Sequence, residues 1–200
     1  MPVSWTAGMT RFAKPIVFAL CLLPLAWLAH KGATAGFGAH PQEYVNRFLG
    51  DWALRLLLIA LAVTPLREIG NWHQLARYRR MLGLFAFFYV VLHLSSYVVA
   101  THFFDWAAIG KDILKRNYIT VGMAVFVMLL PLAATSTAGM VKRLGGARWK
   151  KLHRLVYIAG VGGVFHFFMM VKLDWREPLL YAVILAGLLG WRLVKRIRRA

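Results

Sequence analysis

The sequence predicts an all-α membrane protein, a polytopic bundle of six transmembrane helices with both termini in the cytoplasm. Hydrophobic residues make up 60% of the 200 residues and charged residues only 16%, and the mean hydropathy is +0.59. An average soluble protein is about half apolar and about a quarter charged. Long apolar runs recur along the chain, and most of the Lys and Arg residues lie in alternate loops between them. These observations exclude an ordinary soluble domain.

A helix needs about 20 mostly apolar residues, within a range of about 17 to 25, to cross the hydrocarbon core. Six segments meet or approach this length, and we expect them to form a single domain over residues 1–200. The predicted spans are 12–29, 49–66, 81–100, 118–134, 155–171 and 178–194. The linkers carry Gly, Asn and charged residues, which commonly end helices. Examples are Lys31-Gly32, Arg67-Glu68-Ile69-Gly70-Asn71 and Leu144-Gly145-Gly146.

The distribution of positive charge predicts the orientation. The net charge is +18, and 17 of the 25 Lys and Arg residues lie in the N-terminal segment, the loops after spans two and four, and the C-terminal tail. Seven lie in the remaining loops. Because cytoplasmic loops carry an excess of Lys and Arg, we expect the first group inside, and the basicity does not indicate nucleic-acid binding. The alternative for span one is a cleaved signal peptide, because the small-residue sequence Ala33-Thr34-Ala35, which is typical of a cleavage site, follows it.

Several kinds of chemistry find no support in the sequence. The single cysteine, Cys21, lies in an apolar run, which excludes an internal disulfide framework, a Cys-rich zinc site and a Cys-ligated iron–sulfur cluster. There is no Gly-rich phosphate loop, nucleophile elbow or His-Glu-x-x-His motif. Any redox chemistry must therefore use other ligands.

Two histidines at membrane depth are the candidate metal ligands. His93 lies about 12 residues into span three and His166 about 13 into span five, so both sit roughly 18 to 20 Å from the cytoplasmic edge. Ionisable residues at such depth normally face the bundle interior. Two imidazoles at one height on two helices suit axial ligation of a b-type haem. The alternative is a pair of interhelical hydrogen-bonding histidines without a metal.

His153 is a candidate for a second site near the cytoplasmic edge, where we expect span five to begin. It lies about 20 Å along the axis from His166, too far to bind the same iron. Span three has no matching histidine, because Arg79 and Arg80 occupy the corresponding positions. Arginines suit haem propionates or a flavin phosphate. His153 is therefore a ligand of an inner haem with an unidentified partner, a contact to another cofactor, or an interfacial histidine. We expect the four remaining histidines, which fall in loops or at span ends, to be solvated: His30, His40, His73 and His102.

Several motifs, densest from residue 79 to 166, resemble those of the MsrQ (YedZ) family within the ferric-reductase-like transmembrane superfamily. They are Arg79-Arg80-Met81-Leu82-Gly83-Leu84, Leu92-His93-Leu94-Ser95-Ser96-Tyr97, Asn117-Tyr118-Ile119-Thr120-Val121-Gly122, Ala134-Thr135-Ser136-Thr137, Leu144-Gly145, Arg148-Trp149-Lys150-Lys151-Leu152-His153-Arg154-Leu155-Val156-Tyr157, and His166. The resemblance covers essentially the whole chain.

The resemblance implies a non-catalytic electron-transfer subunit of a two-component oxidoreductase in the bacterial inner membrane. Such subunits carry electrons from the quinone pool, or from a cytosolic flavin reductase, to a periplasmic molybdopterin enzyme that reduces methionine sulfoxide in oxidised proteins. They bind one or two b-type haems, through histidines that match His93, His153 and His166, and have been associated with FMN. The chain has no room for a nicotinamide and FAD domain, so its electron donor is expected to be a separate molecule.

Arg79, Arg80, Arg148 and Lys150 complete the predicted inner site, together with His153, for a second haem, a flavin or a quinone. Two rival functions stay open at this point. A proton-coupled transporter with a histidine relay predicts no chromophore. A passive anchor for a periplasmic enzyme predicts that His93 tolerates any substitution that preserves folding.

Overall fold

The computed structural model describes residues 7–171 and 173–198, which contain helices and connecting turns but no β-strand. The α-helices are α1 (Ala7–Thr34), α2 (Pro41–Ile69), α3 (Ala76–Ser96), α4 (Trp106–Lys115), α5 (Asn117–Ala134), α6 (Ala138–Leu144), α7 (Gly146–Leu152), α8 (Leu155–Met170) and α9 (Arg176–Ile197). A 3₁₀ turn, His73–Leu75, precedes α3, and a π-helical turn, Tyr97–Thr101, follows it.

Six helical segments in the described part of the chain are long and apolar enough to cross a membrane. They are Ala13–Thr34, Pro41–Ile69, His73–Thr101, Asn117–Ala134, Gly146–Met170 and Arg176–Ile197. Each contains most of one predicted span. The all-α fold and the six membrane-spanning helices are therefore confirmed.

The helices group into two compact units that divide after Thr101. In the first unit, α2 packs along α3, and its buried residues, which run from Leu49 to Pro65, lie on several sides of its most apolar stretch. Tyr89 of α3 is fully buried, and its hydroxyl donates a hydrogen bond of 2.9 Å to the backbone carbonyl of Cys21 in α1. This bond satisfies a polar group that would be costly to bury alone.

In the second unit, α8 packs against both α5 and α9. Small residues allow the close approach of α5 and α8, because Ala159 and Gly160 are buried. A Cβ atom at Gly162 would lie 2.7 Å from Cγ2 of Val125 on α5. Small residues at a helix interface are the usual way in which membrane helices gain packing contacts.

Several boundaries differ from the sequence predictions. The predicted stop at Lys31-Gly32 lies inside α1, where Lys31 Nζ donates to the Tyr44 hydroxyl at 2.9 Å. Likewise α2 continues to Ile69 and ends at Gly70. Gly145 does end a helix, α6, and its φ of 75° is a conformation that favours glycine. The segments predicted only as linkers also contain α4, α6 and α7.

Helix α8 begins at Leu155, the predicted first residue of span five, but His153 lies outside this helix. His153 follows the last residue of α7, and a turn at residues 153–154 separates it from α8. The axial distance along one continuous helix from His153 to His166 therefore does not apply.

The single domain and the orientation of the termini stay predictions. An alkaline phosphatase fusion is expected to be active after residue 40 or 110 and inactive after residue 75 or 146. The loops that contain residues 75 and 146 are rich in Lys and Arg and are therefore predicted to be cytoplasmic. Colony and extract activities of the four fusions, normalised to fusion protein, test this. The reverse pattern would invert the predicted topology.

Candidate haem-ligand site

His93 is held by a backbone carbonyl of the neighbouring helix in the first unit. Its Nδ1 atom lies 2.8 Å from the carbonyl oxygen of Asn46 in α2. Because a carbonyl can only accept a hydrogen bond, Nδ1 carries the hydrogen and the lone pair of the neutral ring is on Nε2. Metal-ligating histidines commonly donate their other ring N–H to a carbonyl or carboxylate in this way.

His166 has the same arrangement in the second unit. Its Nδ1 atom lies 2.7 Å from the carbonyl oxygen of Tyr118 in α5, and the rings of Tyr118 and His166 are 6.3 Å apart. The hydrogen is again on Nδ1 and the lone pair on Nε2. The two histidines predicted from membrane depth therefore share the tautomer suited to ligation through Nε2.

Each histidine ring packs against a glycine four residues after its carbonyl partner. A Cβ atom at Gly50 would lie 3.1 Å from two atoms of the His93 ring, and one at Gly122 would lie 3.0 Å from Cε1 of His166. Residues n and n+4 lie one above the other on one helix face. Because the glycine at n+4 has no side chain, the histidine ring can reach the carbonyl of residue n. The sequence alone did not predict either glycine or either carbonyl partner as part of the site.

The Asn46 side chain fixes the backbone of His93 as well as its ring. Its Nδ2 atom donates to the carbonyl oxygen of His93 at 3.0 Å and to Oγ of Ser96 at 2.7 Å. The Ser96 hydroxyl donates to the same His93 carbonyl at 2.8 Å. The π-helical turn begins at Tyr97, directly after this cluster, and π-helical turns inside helices are frequent at functional sites.

Asn46→Leu should lower the free energy of unfolding by about 1 kcal/mol, because side-chain hydrogen bonds in membrane proteins average about 0.6 kcal/mol each and Asn46 donates two. Unfolding of the purified variant in mixed micelles measures this. Asn46→Asp is the matched variant, since it keeps the shape and removes both donors. Unchanged stability in both variants would mean that the Asn46 amide does not hold α2 to α3.

A chain of polar contacts leads from α4 to Tyr118. Arg116 Nη1 donates to the Tyr118 hydroxyl at 3.0 Å, and Arg116 Nε lies 3.2 Å from Oδ1 of Asp112. The other oxygen of Asp112 lies 3.2 Å from Nε2 of His102. His102 was expected to be a solvated loop residue, but it is partly buried against this carboxylate. These contacts hold the first turn of α5, which carries the carbonyl partner of His166.

His153 lies in a different environment. Its Nε2 atom is 3.0 Å from Oγ1 of Thr135, and that hydroxyl donates to the carbonyl of Pro131 at 2.6 Å. Since the hydroxyl hydrogen is used there, Nε2–H of His153 is the donor and the lone pair is on Nδ1. Trp149 stacks on the ring at 3.8 Å and donates its indole N–H to the Thr135 carbonyl. His153 thus has the opposite tautomer to His93 and His166.

The basic residues of the predicted inner site belong to both units. Arg79 and Arg80 lie exposed at the start of α3, with Arg79 Nη1 3.4 Å from the Thr64 hydroxyl. Arg148 and Lys150 lie exposed on α7, close in sequence to His153. His30, His40 and His73 are exposed, as expected of surface histidines.

No cluster of three or more His, Cys, Asp or Glu side chains suitable for a metal ion occurs among the described residues. Axial ligation of a haem does not need such a cluster, because the macrocycle supplies the equatorial ligands and the protein supplies the axial ones. The Nε2 atoms of His93 and His166 are suitable for that role.

Comparison with known proteins agrees with this chemistry. Residues 49–164 match the family model described as "Ferric reductase like transmembrane component". A relative from Rhodospirillum rubrum named "Protein-methionine-sulfoxide reductase heme-binding subunit MsrQ" is 55% identical over 189 residues, which cover 94% of this chain and 91% of the relative. Relatives of the same name from Polaromonas naphthalenivorans and Caulobacter vibrioides are 50% and 49% identical, covering 94% and 92% of this chain and 90% and 88% of the relatives. The chain therefore belongs to the ferric-reductase-like transmembrane family and, within it, to the MsrQ heme-binding subunits.

Proposed function

We propose that this protein is the transmembrane electron-transfer subunit of a methionine-sulfoxide reductase system. The observation that carries the proposal is the repeated arrangement of His93 and His166, each with Nδ1–H on a backbone carbonyl and a glycine against the ring. The names of the relatives add haem binding and the catalytic partner.

His93 and His166 are proposed as the axial ligands of one b-type haem; their pairing on a single iron rests on their equal depth in the sequence. Haem, when bound, supplies a one-electron couple. The hydrogen bonds from Nδ1 to the carbonyls of Asn46 and Tyr118 keep each ring in the ligating tautomer and raise the basicity of Nε2. A more basic ligand stabilises the oxidised iron and lowers the reduction potential.

The carbonyl partners also argue against a histidine relay for protons. A relay passes a proton from one titratable group to the next, as in the Asp, Glu and His chains of pumps. A backbone carbonyl does not accept a transferable proton at neutral pH, so the Nδ1 bonds of His93 and His166 orient the rings without opening a path. This favours electron transfer over proton-coupled transport.

We propose that this protein delivers its electrons to a periplasmic molybdopterin-containing catalytic subunit, which reduces methionine sulfoxide in oxidised proteins of that compartment. The electron donor is proposed to be a membrane quinol or a cytosolic flavin reductase, and the location the bacterial inner membrane. His153, Arg79, Arg80, Arg148 and Lys150 are the proposed inner site for a second haem, FMN or a quinone.

Reoxidation of the reduced protein tests this function. The purified protein is reduced with a limiting amount of dithionite and mixed with the catalytic subunit from the same bacterium and free methionine sulfoxide. With a large excess of reduced protein over catalytic subunit, complete reoxidation is expected only with both present, since the catalytic subunit alone accepts few electrons and this chain is not expected to reduce the sulfoxide itself. Reoxidation that is independent of the catalytic subunit, or absent with it, would contradict the proposed role.

His153→Ala is expected to slow electron entry while the haem of His93 and His166 is retained. Positive charge on α7 favours a reduced, more negative cofactor nearby. The variant should keep a haem spectrum that dithionite reduces, and reduce more slowly with a quinol or a flavin reductase. Thr135→Val is the companion variant, because it removes only the hydroxyl partner of His153. Loss of all haem from His153→Ala would make His153 a ligand of the only haem.

A further inference from the structure

The short helix α4 has two different faces. At roughly 100° per residue, Ala108, Ile109 and Asp112 share one face of α4, and each is buried or partly buried within the second unit, where α4 packs on α5. Trp106, Gly110 and Leu114 follow one another at i, i+4 and i+8 on the opposite edge. Trp106 is 67% exposed and Leu114 is 86% exposed. An apolar edge of α4 is therefore open on the surface of the chain.

Polar contacts fix which edge of α4 faces outward. The Asp105 carboxylate caps the helix by accepting from the backbone N–H of Ala108 at 2.9 Å. At the other end, Asp112 contacts both His102 and Arg116 at 3.2 Å. Rotation of α4 to bury Leu114 would break both ion-pair contacts. The exposed apolar edge is thus a stable feature of the unit.

The residues before α4 extend the same apolar surface. Phe103 and Phe104 are 75% and 56% exposed, and their φ values are 48° and 64°. Two consecutive bulky residues rarely adopt this left-handed conformation, because it brings Cβ close to the backbone. In this turn both aromatic rings remain exposed and lie next to the apolar edge of α4 in the sequence.

Positive charge borders the apolar edge. Lys111 and Lys115 lie on the side of α4 next to Leu114, and both are exposed. A helix with aromatic and aliphatic residues on one side and lysines beside them is typical of helices that lie in the headgroup region of a bilayer. The lysines are then placed to reach the phosphates of anionic lipids.

Chain connectivity keeps this edge near the bilayer. Arg116 alone separates α4 from α5, a membrane span, and four residues separate α4 from the end of the preceding span at Thr101. Neither connection allows α4 to move far from the membrane surface. In the predicted orientation this is the outer surface.

We propose that α4, with Phe103 and Phe104, is a membrane-surface helix that inserts its apolar edge among lipid headgroups and binds anionic phospholipid through Lys111 and Lys115. The proposal commits to lipid as the occupant, because lipid is the apolar and negatively charged partner within reach of a helix tethered to two spans. A protein partner on the same edge is the competing outcome.

Spin-label depth measurements test the proposal with the full chain in vesicles. In a Cys21→Ala background, single cysteines replace Leu114 on the apolar edge, Lys111 on the basic edge and Val127 in the middle of α5. Each variant is labelled and reconstituted in phosphatidylcholine, with or without phosphatidylglycerol. Collision with oxygen reports membrane insertion, and collision with a water-soluble nickel chelate reports aqueous exposure.

The label at position 114 should have a low accessibility to the nickel chelate, similar to that of the label at position 127. Its accessibility should be several-fold below that of the label at position 111. Adding phosphatidylglycerol should deepen position 114, and Lys111→Gln with Lys115→Gln should abolish that deepening. Lys142→Gln with Lys151→Gln removes the same charge elsewhere and should have no effect. High nickel accessibility at position 114 in both vesicle types would overturn the proposal and favour a protein partner. Deepening that survives loss of both lysines would refute the anionic-lipid site.

Discussion

His93→Ala and His166→Ala are each expected to remove the haem that these residues are proposed to ligate. An iron with two axial imidazoles loses one of its ligands in either variant, and each histidine ring has its own contacts. Its Nδ1–H is taken by a backbone carbonyl, and its face lies against a glycine. The apoprotein should still insert, because alanine does not impair the hydropathy of a span.

Haem content per protein, measured by pyridine haemochrome, and the visible spectrum of each purified variant check this expectation. His30→Ala, His40→Ala and His73→Ala are the controls, since these histidines are exposed and their spectra should match the unaltered protein. Full haem occupancy in both the His93 and the His166 variants would reject the assignment of these residues as paired ligands.

Gly50→Val and Gly122→Val are expected to reduce haem binding nearly as much, although neither variant replaces a proposed ligand. The new Cβ atom would lie 3.1 Å from the His93 ring or 3.0 Å from the His166 ring, closer than ordinary contact, and valine adds two methyl groups. The ring cannot move aside without losing its bond to the carbonyl of Asn46 or Tyr118. Overpacking of this kind costs about 1–3 kcal/mol, which corresponds to roughly a fivefold to hundredfold loss of haem affinity.

The same substitution at two other glycines distinguishes crowding of a histidine ring from a general effect of valine on a helix. Gly83 in α3 and Gly190 in α9 have no atom within 4 Å of an added Cβ. Gly83→Val and Gly190→Val should keep the haem, because valine is a better helix former than glycine. Haem affinity is measured by titration of apoprotein with hemin. Equal affinity in the Gly50, Gly122 and control variants would show that the glycines do not shape the histidine environment.

The membrane helices could be predicted because their signal is local. A run of apolar residues long enough to cross a bilayer identifies a span whatever its neighbours are, so all six were found. The short helices α4, α6 and α7 carry no such run, and polar contacts such as the Asp105 cap of α4 stabilise them. Composition alone therefore assigned them to loops.

The candidate site could be predicted only in part, for a similar reason. His93 and His166 stand out because an ionisable residue at membrane depth is rare. Their partners do not, since the contact of Asn46 with His93 or of Tyr118 with His166 joins residues far apart in the sequence. The pattern Asn46-x-x-x-Gly50 and Tyr118-x-x-x-Gly122 was a usable signal, but only once each segment is paired with its histidine. His102 was missed because its carboxylate partner lies on α4, a helix that was not predicted.

The visible spectrum of the purified protein, first oxidised and then reduced with dithionite, tests the central claim most directly. His93 and His166, each with a lone pair on Nε2, predict a six-coordinate, low-spin b-type haem whose bands sharpen on reduction and do not shift when carbon monoxide is added briefly. A protein that folds and inserts but carries no chromophore, even when expressed with abundant haem, would contradict the claim and favour a transporter or a passive anchor.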